Sequence, residues 1–161
     1  MKTPLAFAIA ALLLIAPSLF SQEKSGPGVD AVGERALQAM QVRAVELKVK
    51  GVAMVAYAEG GSVTSWSSKM VVVGNLTSRP SQTSKGNNFL GIVYTKAAEM
   101  ADTLKDSGSG IRPPYTGEFG WQGGVCAKGR TGILIAAFSG GRSEDDVKVA
   151  QAGLGILLGS L

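Results

Sequence analysis

Two pairs of short apolar runs, each pair joined by a turn too short to cross a sheet, constrain this chain most. Val52 to Ala58 (VAMVAYA) has strand length and no polar face, so it reads as a strand buried on both sides. Glu59-Gly-Gly-Ser62 then turns the chain, and Val63 to Val73 pairs back as a second strand. Gly123 to Lys128 and Thr131 to Ser139 repeat the pattern around a Gly129-Arg130 turn. Parallel neighbours need a crossover of about a dozen residues or more, so both pairs are expected to be antiparallel hairpins.

The segments around the hairpins have helical periodicity. Val32, Ala36, Met40, Ala44 and Leu47 predict a helix over Asp30–Val49, capped by Asp30 and stopped by Gly51. Phe89, Val93, Ala97, Met100 and Leu104 predict a second over Gln82–Lys105, ended by the Asp106–Gly110 cluster. Ser143 opens a third, with Ser143 as N-cap, Asp146 as its capping-box partner, and Glu144, Asp145 and Asp146 answering the positive helix end. Gly74–Lys85 is a long polar connection, and Ile111–Gln122 is irregular and rich in Pro, Gly and aromatics. The expected fold class is α+β: one antiparallel sheet with helices packed on it.

Residues 1–21 read as a cleavable secretory signal. Lys2 is the basic start, Leu5–Ile15 is unbroken apolar sequence, and small residues close the run at Ser21. The apolar run is shorter than the roughly 20 residues a bilayer span needs, so no stable membrane insertion is expected. Residues 22–28 form a polar linker and 29–161 the domain, about 140 residues after cleavage and one domain by length. The expected location is periplasmic or extracellular.

Composition excludes several function classes. The 161 residues contain no histidine, which removes the usual triad base and the commonest metal ligand. One cysteine, Cys126, cannot form an internal disulfide. The net charge of +4 falls by one when Lys2 leaves with the signal, and no basic stripe is present, so nucleic acid is not an expected partner. Gly124–Thr131 (GVCAKGRT) approaches a phosphate-binding loop, but a strand follows it where a helix is required. No nucleophile–base pair or metal-ligand cluster stands out, and the residues favour binding over catalysis. The segment Thr116–Gly124 places Phe119 and Trp121 among glycines, as suits a pocket rim or a subunit interface.

The C-terminal half resembles the GlcG/HbpS family. The resemblance rests on Gly123-Gly-Val-Cys126, an apolar strand running into Ser139-Gly-Gly141, the acidic residues to Asp146, and Ala150-Gln-Ala-Gly-Leu154. Lys69-Met70 and Lys96-Ala97 fall where members carry Arg-Met and Lys-Ala. The resemblance implies a profilin-like α/β/α domain with a five-stranded antiparallel sheet flanked by helices. It also implies a homo-oligomer, and haem or a related tetrapyrrole as ligand. Without histidine, an axial ligand would have to be Met, Tyr, Cys, Lys or a hydroxyl, with Met70, Tyr94, Cys126 and Thr131 all chemically possible. The expected binding residues are Trp66, Lys69, Met70, Lys96 and Trp121, with the two lysines pairing to propionates or another anionic group. The rival expectation is a self-assembling interaction protein in which the aromatic segment is the interface and no small ligand is bound.

Overall fold

Alternation along one central strand sets the architecture. The computed structural model describes residues 28–161, so the signal over 1–21 and all of the 22–28 linker except Gly28 lie outside the described residues. The elements are α1 (Val29–Glu46), β1 (Gly51–Glu59), β2 (Ser67–Val73), β3 (Thr77–Ser78), β4 (Asn87–Asn88), α2 (Phe89–Thr103), β5 (Gly124–Lys128), β6 (Gly132–Ser139) and α3 (Ser143–Leu158). Strand β1 sends Ala53 and Val55 to one side and Val52, Met54, Ala56 and Ala58 to the other, and both sets are buried.

Each face therefore carries its own core. Helices α1 and α3 cover Ala53, Val55, Leu134, Ala136 and Phe138, using Val32, Ala36, Met40, Val149, Ala150 and Leu157. Helix α2 covers the opposite face, where Phe89, Val93, Ala97 and Met100 meet Val52, Met54, Ile133, Ile135 and Ala137. Fully burying one such aliphatic or aromatic side chain contributes about 1.5–3 kcal/mol. The two helices of the first face sit close because α3 carries Gly153 where any Cβ would run into Met40.

The main sheet has four strands in the order β2-β1-β6-β5, all antiparallel, with Val55 opposite Lys69 on one side and Ala136 on the other. The α+β class and both hairpins are as read. The expected fifth strand is not part of this sheet. The polar connection after β2 instead folds into a separate two-stranded ribbon, Thr77–Ser78 against Asn87–Asn88. The outer edge of β5 is covered: Asp106 Oδ1 accepts from Cys126 N at 2.9 Å, and Ser107 Oγ accepts from Gly124 N at 2.9 Å.

Several boundaries differ from the sequence reading, each for a local reason. Helix α1 stops at Glu46, because Lys48 takes φ +55° and the Val49 N–H turns back to Ala44 O; Gly51 belongs to β1. Gly28 is its N-cap, and Asp30 lies inside the first turn. Helix α2 starts at Phe89 because Asn88 caps it, its Oδ1 accepting from Gly91 N at 3.0 Å, and it ends where Leu104 takes φ +52°. Strand β2 begins at Ser67, while Val63 and Trp66 pack on the α2 side of the sheet. Arg142, not Ser143, is the N-cap of α3.

Candidate functional site

Strand β6 ends at Ser139 and the chain turns through Gly140-Gly141 into α3. This turn lies against one side of α2 and brings the third residue of the acidic trio inward. Asp146 Oδ1 accepts from Gly141 N at 2.8 Å, closing the turn. Its Oδ2 receives Lys96 Nζ from α2 at 2.9 Å, and Lys96 also donates to Phe138 O at 2.7 Å. Lys96 is 3% exposed and Asp146 4%. Burial pulls the Lys96 ammonium below the ordinary lysine value and pushes the Asp146 carboxyl above the ordinary aspartate value, while each partner's charge opposes the shift.

The ion pair forms one wall of a cleft of about 280 Å³. Phe89 and Ile92 of α2 supply an apolar side, Ser78 and Asn87 of the β3–β4 ribbon a polar one, and Trp121, Gln122 and Ser143 line it as well. An ammonium carries three N–H donors, and the hydrogen bonds among the described residues occupy two of those on Lys96. The approach is close enough to dictate Gly123: it has φ +122°, and a Cβ there would collide with Lys96 Nζ.

Trp121 is held by a braced loop. Arg112 grips Glu118 through two contacts, at 2.7 and 2.9 Å, reaches Asp102 at 2.8 Å, and lies 3.8 Å from the centroid of the Tyr115 ring. The Arg112 hydrogen bonds, with Tyr115 N donating to the same carboxylate at 2.9 Å, hold Glu118 down at about 2. Gly108 N donates to Glu99 Oε1 at 2.9 Å, tying the loop start to α2. Phe119 stacks on Trp121 with centroids 4.6 Å apart at 24°, and the indole remains 47% exposed.

The five residues expected to bind ligand are not gathered in one place. Lys96 and Trp121 share the cleft just described. Trp66 lines a different, wider depression of about 660 Å³ beside the C-terminal half of α2, with Thr64, Ser65, Asp102 and Leu104. Lys69 is on the α1 side of β2, where Glu34 takes its ammonium at 2.8 Å and Asp30 lies at 3.6 Å. Met70 packs against the α2 core on the other side, though it borders with Lys69 a depression of about 420 Å³ at the β2 edge, lined also by Glu34, Leu37 and Gln41. Both lysines read as partners for an anionic ligand therefore have carboxylate partners in the chain itself. Sequence reading missed Asn87, Gln122 and Ser143 as lining residues and took Asp146 only as a helix-capping acid. An Asp just after Ser-Gly-Gly and opposite a helical lysine was the available signal, but their meeting depends on the tertiary fold.

The four residues singled out as axial-ligand candidates do not come together around a haem. These groups are dispersed: Met70 packs, partly buried, against the α2 core, and the Tyr94 hydroxyl is 3.3 Å from Ser68 Oγ. Thr131 Oγ1 accepts from the Tyr57 hydroxyl at 2.9 Å, and Cys126 is half-buried on β5. None of these four lines the Lys96 cleft. Among the described residues there is no group of three or more His, Cys, Asp or Glu side chains placed to hold a metal, and no helix is long and apolar enough to cross a membrane. No protein-family model matches the chain, and no curated protein matches it.

Proposed function

We propose that the chain is an exported, self-associating binding module of the GlcG/HbpS type, with the Lys96–Trp121 cleft as its small-molecule site. The three-layer arrangement, with helices on both faces of an antiparallel sheet, supports the profilin-like reading in its order of layers. One observation carries the choice of site: Lys96, 3% exposed and with one N–H not taken up among the described residues, lines a cleft beside the half-exposed indole of Trp121, which stacks on Phe119. Only Phe89, Ile92 and Trp121 of its lining are apolar, so polar contacts would carry most of the recognition.

Binding, not catalysis, is what the cleft supports. Between the Asp146 carboxylate and the Phe138 carbonyl Lys96 sits as an ammonium, and a protonated amine has no lone pair with which to take a proton from Ser139 or Ser143. The 280 Å³ volume is at the low end of ligand sites and suits a molecule smaller than a tetrapyrrole.

The test is a fragment screen by saturation-transfer NMR on the protein and on its Trp121→Ala variant. Hits that lose their signal in the variant are expected. Hits that are indifferent to Trp121 would move the site elsewhere. A Soret shift on adding micromolar hemin would restore the tetrapyrrole. Self-association is checked by light scattering: an oligomer whose mass falls in Trp121→Ala would place the aromatic loop in the interface.

A further inference from the structure

The charge balance of the cleft says what kind of molecule it takes. Lys96 is a cation, but Asp146 is 2.9 Å from it and equally buried, so the wall they form is neutral overall. The N-terminus of α3 offers no spare positive potential either, since Glu144, Asp145 and Asp146 all fall in its first turn. Outside the cleft lining, Asp145 is paired with Arg142 at 3.3 Å and Lys148 at 3.2 Å. A ligand carboxylate on the free Lys96 N–H would have to lie within a few ångströms of the Asp146 carboxylate, in a partly desolvated site where like charges repel strongly.

An uncharged oxygen avoids that repulsion. A carbonyl or amide oxygen can accept the one hydrogen bond that Lys96 has left to give. Asn87 and Gln122 add side-chain amides that both donate and accept. Trp121, its plane set by Phe119, provides a flat apolar surface at the rim. A cleft of about 280 Å³ has ample room for a single ring with its substituent.

We infer that the ligand is a small, uncharged, planar ring compound bearing a carbonyl or carboxamide, with the ring on Trp121 and the oxygen on Lys96. The inference rests on the cleft being the binding site, as proposed above.

Three probes separate its parts: benzamide, benzoate and acetamide, titrated at pH 7 against the protein by ligand-observed NMR. Benzamide is expected to bind saturably, with benzoate and acetamide at least tenfold weaker. Trp121→Ala and Asn87→Ala, both at exposed positions, are each expected to weaken benzamide several-fold or more. Benzoate binding as tightly as benzamide would overturn the neutral-ligand inference and leave the cleft standing. Acetamide binding as tightly as benzamide would overturn the role of the ring. Benzamide that does not bind, or that binds unchanged in both variants, would overturn this inference and remove the main support for the cleft as well.

Discussion

Lys96 and Asp146, 50 positions apart, meet at 2.9 Å and join the helix on one face of the sheet to the first turn of a helix on the other. Truncating one partner of a buried pair leaves a charge without compensation, at a cost of about 3–5 kcal/mol. Lys96→Met and Asp146→Leu are each expected to destabilise by that order. The double variant should cost clearly less than the sum, because it leaves no orphaned charge. Urea unfolding of the four proteins checks this, and additive losses would mean that the two charges are not coupled.

The Arg112–Glu118 brace predicts an acid transition confined to the aromatic loop. Glu118 is lowered from 4.5 to about 2 by its Arg112 hydrogen bonds and the Tyr115 N–H. A depressed carboxyl stabilises the fold above its unfolded value and loses that contribution as pH falls through its folded value. Loop order should therefore decay between about pH 4.5 and pH 2. Trp121 fluorescence, recorded in a Trp66→Phe background, is expected to change across that window and to lose the transition in Glu118→Gln. The same acid transition in both proteins would assign it to another group.

The sequence carried the layers of this fold but not its cross-links. Strand β1 was legible because VAMVAYA has no polar face, and a strand in the middle of a covered sheet needs none. The α1 and α2 ends were misplaced because Lys48 and Leu104 adopt left-handed backbone, a conformation their side chains do not advertise. The apolar spacing that marks α2 begins only at Phe89, so the expected start at Gln82 had no periodic residue behind it. Asn88 is the residue that caps the helix, and the ribbon uses what precedes. Half of the site was visible as Lys96 and Trp121. Asp146 had a sufficient local role at its helix start, so nothing along the chain required a partner on α2. The separation of Lys69 from Lys96 is likewise a matter of which face of the sheet each occupies.

Two glycines make opposite predictions. Gly123 has φ +122°, and a Cβ there would strike Lys96 Nζ and sit 2.7 Å from Asp146 Cβ. Gly123→Ala is expected to destabilise by about 1–3 kcal/mol or more from backbone strain alone, and to disturb the ion pair. Gly155 lies inside α3 with open space where a Cβ would go. Gly155→Ala should stabilise by about 0.5–1 kcal/mol through helix propensity. Thermal unfolding of both variants checks the pair, and a neutral Gly123→Ala would deny the close approach of Lys96.

Cys126 should be a slow nucleophile despite being half-buried, not sealed. Burial pushes its thiol up from 9.0 to about 11; Asp106, whose carboxylate accepts the Cys126 N–H, adds to the rise, and Lys105 opposes it. The thiolate is the reactive form, so at pH 8 the folded protein should react about a hundredfold more slowly than the unfolded chain. Timed reaction with a disulfide reagent, with and without denaturant, measures the ratio. Asp106→Asn should raise the folded-state rate by removing the carboxylate charge while keeping an acceptor for the Cys126 N–H. A folded rate equal to the unfolded one would show that the β5 edge opens freely, and that the Asp106 and Ser107 contacts do not hold it closed.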